Sequence, residues 1–176
     1  MNIIITILLV LVGIIGLLLI TGLFTKRQHH VKQEIIINAP RQKVFDYLKH
    51  IKNQDEWNKN AKGDPNKKEE FKGTDGTVGF SIAWKGNKNV GEGEKEIMNI
   101  IEGERIETEI RFEKPMKFKA SLIIETESFS ENQTQVNLSH EGIMKYPKNI
   151  MIPMFEKMFA KQMEISLSNL KNVLEK

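Results

Sequence analysis

The chain has no cysteine among its 176 residues. That excludes disulfide bonds, a thiol nucleophile, thiolate metal ligands and a lipid-bearing cysteine. A reducing compartment is compatible with this absence but not required by it. Histidine is scarce, with four in all, and no pair has the spacing of zinc ligands. His29 and His30 fall in a stretch that reads as linker, and His50 lies near a helix end. Ser121, Ser128, Ser139 and Ser166 sit in no nucleophile motif. Gly91-Glu92-Gly93 lies inside a strand pattern, which rules out a phosphate loop; its glycines are expected to admit the last helix closely. Glu92, Glu94 and Glu96 recur with period two, as a solvated strand face does more readily than a metal site. The net charge of +3 gathers in residues 26–72. That half could be drawn weakly to anionic headgroups, although a mixed solvated surface is the plainer reading. Nucleic-acid binding would need a denser basic patch or a motif. No metal, no cofactor and no nucleic acid is therefore expected.

What the chain does have is one long uncharged run, IIITILLVLVGIIGLLLITGLF, from residue 3 to residue 24. As a helix it would be about 33 Å long at roughly 1.5 Å per residue, the thickness of a bilayer's hydrocarbon core. A cleaved signal peptide needs a basic start, a shorter apolar stretch and a small-residue cleavage site. Only Met1 and Asn2 precede the run, and no such site follows it. An uncleaved single-pass anchor is the expectation. Gly13 and Gly16 are three apart, so they do not form the GxxxG pairing motif. Lys26, Arg27 and Lys32 follow the span and nothing basic precedes it, which places the C-terminal part on the cytoplasmic side of the cell membrane. Residues 25–30 read as a short linker reaching at most about 20 Å, so residues 31–176 should form one domain close to the membrane surface.

Within that domain Val31 to Ile37 reads as a strand. Asn38-Ala39-Pro40 opens a helix carrying Val44, Phe45 and Leu48, and a second short helix holds Ile51 and Trp57. The period then changes to two. Val78, Phe80, Ile82 and Trp84 alternate with small residues, and Ile106 to Phe112, Met116 to Ile124 and Val136 to His140 alternate with polar ones. Five or six antiparallel strands, each with one wet and one buried face, are expected. A closing helix from about Ile150 to Leu174 carries Phe155, Phe159, Met163, Leu167, Leu170 and Leu174 as a stripe. A curved sheet cannot fill its own concave face, so the last helix must lie across it.

This order of elements, with particular segments, resembles the SRPBCC (START-like, helix-grip) superfamily in its polyketide cyclase/dehydrase-type branch. INAPRQKVFDYL is similar to the family's strand-Ala-Pro-helix opening, and Asp55-Glu56-Trp57-Asn58 to its tryptophan segment. NVGEGEKEIMNIIEGERIETEIRFEKPMKFKA looks like its G-x-G-x-x-x-I strand, hairpin and Phe-x-x-Pro turn. FEKMFAKQMEISLSNLKNVLE resembles its closing helix. The resemblance covers residues 31–175. It implies an α+β helix-grip fold: a curved antiparallel sheet, two short helices and a long C-terminal helix, here preceded by one transmembrane helix. It also implies binding of hydrophobic small molecules or lipids, with cyclases and hydrolases as a minority. The family has no universal catalytic residue, so none is carried over.

The expected cavity lining is drawn from one parity of each strand: Phe80, Ile82 and Trp84, then Ile110 and Phe112, then Phe118 and Leu122, then Leu138 and His140. Met144 and Met158 belong to a methionine-rich mouth that also holds Met151, Met154 and Met163. Methionine packs adaptively, so this stretch reads equally as a deformable gate or as core filling. His140 is the sharpest candidate for chemistry. An inward imidazole could hydrogen-bond a ligand or act as a base, although a structural histidine satisfied by backbone or water is the plainer reading. Glu141 points the other way and cannot assist it. The leading function is a membrane-anchored binding module for a hydrophobic small molecule or lipid. A cyclase/dehydrase-like or hydrolase-like enzyme using the same cavity, and a protein-interaction domain with no ligand, are the alternatives.

Overall fold

No charged or helix-breaking side chain interrupts the first apolar run, and it forms one helix, α1 (Ile3–Phe24), in the computed structural model, which describes residues 2–176. The Asn2 side chain caps it by accepting from the Ile4 N–H. Its apolar side chains are exposed along its length, and α1 is long and apolar enough to cross a membrane.

Only three residues separate α1 from the first strand, where the sequence suggested six. Strand β1 (Gln28–Ile37) begins before Val31, because Gln28, His29 and His30 pair in register with Ile143, Gly142 and Glu141. Helix α2 (Arg41–Lys49) follows Pro40 and buries Val44, Phe45 and Leu48. A single 3-10 turn leads into the short α3 (Gln54–Trp57), whose Trp57 is buried. Six strands come next: β2 (Lys68–Lys72), β3 (Ser81–Lys85), β4 (Glu92–Ile101), β5 (Arg105–Lys114), β6 (Phe118–Ser130) and β7 (Gln133–Ile143). They run as an antiparallel meander, and β1 closes against β7, giving the curved seven-stranded sheet β1-β7-β6-β5-β4-β3-β2. A 3-10 turn at Lys148–Met151 leads into α4 (Ile152–Leu174), with a proline in its first turn.

Period-two alternation sets the inner face of this sheet. Cross-strand register lines up Trp84, Gly93, Phe112 and Phe118 in one row, and Ile82, Lys95, Ile110 and Ala120 in the next. A third row runs Ile97, Thr108, Leu122, His140 and Val31. Helix α4 buries Met163, Leu167, Leu170 and Leu174 against this face. Each such side chain contributes about 1.5–3 kcal/mol of hydrophobic stabilisation. The backbone of α4 approaches β1 far more closely than the other strands.

Two local expectations are corrected. The alternation from Val78 to Trp84 yields a strand only from Ser81, and Val78 is exposed. Gly76 and Gly79 adopt φ of +79° and +85°, a left-handed conformation that a strand cannot contain. Neither Gly91, which precedes β4, nor Gly93 within it serves the last helix: a Cβ on Gly91 would lie 2.2 Å from the Lys114 carbonyl. A Cβ on Gly93 would lie 2.6 Å from the Arg111 carbonyl and 2.7 Å from the Trp84 ring, so Gly93 makes room for the indole and the next strand.

Candidate functional site

The inner face carries a row of aromatics that the core does not fully cover. The Trp84 and Phe112 rings meet edge to face at 5.5 Å, and Phe112 stacks on Phe118 at 4.5 Å. All three are half-buried, whereas Ile110, Leu122 and Leu138 in neighbouring rows are buried. Because α4 sits over β1, the far side of the sheet is where apolar surface is left open.

Polar groups interrupt this apolar face at two places. The first is a histidine pair. His29 Nε2 lies 3.0 Å from His140 Nδ1, and the residues are 2% and 5% exposed. Phe159 of α4 stacks over His140 at a ring separation of 4.4 Å. Gly142 creates the space, since a Cβ there would lie 2.5 Å from the His29 ring. One proton serves the contact, so one imidazole donates and the other accepts. Burial lowers the His140 pKa to about 4, with the His29 and Lys95 charges adding to it. Burial also lowers that of His29, partly opposed by Glu156. The pair is therefore neutral at neutral pH. His29 Nδ1 is buried with no hydrogen-bond partner among the described residues.

The second is Lys95. Its neighbours Glu94 and Glu96 point outward and pair with Arg111, the Glu94 contact being 3.0 Å, so the acidic row is a solvated ion-pair face. Lys95 points inward between Ile82 and Ile110, and its ammonium donates to the Gln54 side-chain carbonyl of α3. The nearby carboxylates are engaged elsewhere: Lys67 binds Asp55 at 2.5 Å and Glu69 at 2.8 Å. Burial and the Lys67 charge lower the Lys95 pKa to about 8. Gln54 is 2% exposed, and its amide nitrogen has no partner among the described residues.

An open cleft of about 970 Å³ lies at the end of the sheet nearest α1. Its lining mixes inner-face residues (His29, Phe118, Gly142, Met144) with outer-face residues (Glu109, Ser121, Glu141), so it wraps round the sheet end. Tyr146 and Lys148 close it on the side of α1. The C-terminal end of α1 is docked here: buried Asn149 donates to the Gly22 and Thr25 carbonyls at 2.7 and 2.9 Å, and Lys26 pairs with Glu156 at 2.7 Å. A Cβ on Gly22 would meet Ile150 at 2.7 Å, so the glycine permits this approach.

The expected lining residues are thus divided. Trp84, Phe112 and Phe118 come together, and Ile82, Ile110, Leu122, Leu138 and His140 share their face. Only Phe118 and Met144 also line the cleft. Phe80 joins a separate cluster with Ile51, Ile82 and Ile97, and Met158 projects outward at 40% exposed. In the methionine-rich stretch Met144 and Met163 are buried, and Met151, Met154 and Met158 are exposed. Glu141 lies on the outer face, bonded to His30 at 2.9 Å. Sequence reasoning missed His29, Gln54 and Lys95. His29 shares parity with Val31, and Lys95 with Gly93 and Ile97, so parity was the available signal. Among the described residues no three His, Asp or Glu side chains gather as a metal cage.

Solved structures share the fold. A hypothetical protein of Helicobacter pylori matches with a TM-score of 0.63 at 12% identity, over 82% of this chain and 87% of its own. The Aha1 dimer from Colwellia psychrerythraea matches at 0.57 and 19%, over 83% and 96%. Ara h 8.0201 matches at 0.55 and 13%, over 84% and 97%. The chain has the helix-grip fold. No protein-family model and no curated protein matches the sequence. At these identities the likeness extends to the helix-grip architecture and not to a shared ligand or activity.

Proposed function

We propose that this chain is a membrane-anchored module that binds a hydrophobic small molecule or lipid on the concave face of its sheet, where α4 leaves that face open. The observation that carries this reading is the half-buried row Trp84, Phe112 and Phe118. A solid core would bury such rings fully; a ligand face leaves them apolar and accessible. The cleft beside the anchor supplies an entrance next to the end of α1. In this reading α1 spans the cell membrane once, the domain is cytoplasmic, and Asn149 fixes the entrance to the base of the anchor. Native mass spectrometry of the detergent-purified full chain tests it. The expected result is a co-purified apolar species that Phe118→Arg loses, because a charge there has a high desolvation cost. A bare chain in every preparation would count against the reading.

A second reading, a cyclase- or hydrolase-like enzyme, is favoured by the His29–His140 contact, which places a second polar group at 3.0 Å from the candidate base. A neutral imidazole whose conjugate acid has a pKa of about 4 is, however, a weak proton acceptor. The pair is better suited to hydrogen-bonding a polar group of a ligand than to abstracting a proton. Under the enzyme reading His140→Gln would leave ligand occupancy intact and abolish turnover; under the binding reading no turnover exists to lose.

A further inference from the structure

Lys95 is a charged group inside an apolar face with no carboxylate of its own. Its strand neighbours show how the chain treats the other charges of β4: Glu94 and Glu96 face outward and are matched to Arg111. Lys95 alone points inward, and the only hydrogen bond it makes among the described residues goes to a neutral amide. Asp55 and Glu69 are the nearest acids, and Lys67 occupies both.

The surroundings of Lys95 share one deficiency, an excess of donors. Gln54 accepts from Lys95 through its carbonyl oxygen, which fixes the side chain beside the ammonium, and its buried amide nitrogen donates to no described residue. The Thr108 hydroxyl, two residues from the Ile110 that faces Lys95, is also buried and unpartnered. Buried donors are expected to find acceptors. Lys95 is half-buried, and a cation set into an apolar face likewise calls for an anion. Inner-face register places the open aromatic row beside this cluster: Trp84 and Phe112 both stand opposite Gly93, two residues before Lys95 on the same face.

We propose that the ligand of the inner face is an acidic amphiphile, a hydrocarbon chain ending in a carboxylate, with the carboxylate against the Lys95 ammonium and the Gln54 amide and the chain along Trp84, Phe112 and Phe118. This rests on the binding reading above and narrows it to a ligand class. The carboxylate supplies acceptors to groups that lack them, and the aromatic row takes the chain. A neutral amphiphile of the same length would satisfy the row and leave the ammonium unmatched.

The test compares 11-bromoundecanoate with 11-bromoundecanol on the full chain in nanodiscs, reading bromine quenching of the two tryptophans against the same additions to the Lys95→Met and Lys95→Arg variants. The acid should bind the wild type at least tenfold more tightly than the alcohol, the advantage expected of a charge-assisted hydrogen bond in a buried site. Lys95→Met should bring the acid down to the alcohol, and Lys95→Arg should retain most of the preference. The wild type supplies a second arm that needs no variant. The charged groups around Lys95 are Lys67, Asp55, Glu69 and, further off, His140; the pKa of Lys67 is raised and that of His140 lies near 4, so neither of these two changes charge between pH 7 and pH 9. Preference for the acid should fall over that range in the wild type and persist in Lys95→Arg. Equal quenching by both probes, unchanged in Lys95→Met, would overturn the carboxylate assignment and leave the binding module standing. Quenching by neither would overturn both.

Discussion

Lowering the pH from 7 to 5 should weaken the fold through the His29–His140 pair. In the unfolded chain an imidazole titrates near 6.5, and folded His140 is held near 4. Between those values the unfolded state binds the proton and the folded state refuses it. The difference in bound protons makes unfolding easier as pH falls, and the loss levels off once pH drops below the folded pKa. Linkage over these two values gives a loss of about 2 kcal/mol between pH 7 and pH 5 from His140 alone. His29, lowered in the same direction, adds to it. A loss of that size corresponds to about 4–8 °C in Tm for a chain of this length. Urea unfolding of the detergent-solubilised full chain at the two pH values measures it directly, and His140→Gln, neutral throughout, should reduce the pH dependence to the His29 share. A change under about 0.5 kcal/mol, or a full-sized change that persists in His140→Gln, would refute the reasoning. The carboxylates confuse the picture little, because the shifted ones, Asp46, Glu92, Glu109 and Glu156, are all lowered and titrate below this window.

Further outcomes follow from single contacts. A C-terminal alkaline phosphatase fusion should be inactive and a fluorescent-protein fusion bright, because Lys26 and Arg27 follow an uncharged span; the reverse would overturn the cytoplasmic placement. Asn149→Ala removes two hydrogen bonds and leaves the Gly22 and Thr25 carbonyls unpaired, a local cost of about 1–3 kcal/mol. Faster tryptic cleavage after Lys26 and Arg27 should report the release of α1. Gly93→Ala pushes a methyl into the Arg111 carbonyl and the Trp84 ring and should lower the urea midpoint by the equivalent of about 1–3 kcal/mol, with a change in Trp84 emission.

The parts of this fold that were legible in the sequence are those whose signal is periodic. The alternations of β5, β6 and β7 placed Ile106, Ile110, Leu122, Ile124, Val136 and Leu138 on the buried face, and the stripe of α4 marked Met163, Leu167, Leu170 and Leu174. The parts that were not legible depend on partners distant in the chain. His29 reads as linker because two histidines after a charged pair carry no strand propensity; its pairing opposite Gly142 is what draws it into the sheet. Lys95 is hidden by its acidic neighbours, which make β4 look wet on one face without showing that a cation occupies the other. The docking of α1 rests on Asn149 seizing its end, a contact across more than a hundred residues with no local trace in the sequence.

The central claim is that an apolar ligand lies along the inner face, and Trp84 is placed to report it. Tryptophan emission of the full chain in nanodiscs should be followed during addition of 11-bromoundecanol, with Trp84→Phe and Phe118→Arg variants in parallel. Saturable quenching in the wild type, lost in Trp84→Phe and absent in a folded Phe118→Arg, is the predicted result. Quenching that never saturates, or that is the same in all three proteins, would mean that the probe sits in the bilayer alone and that the inner face binds nothing.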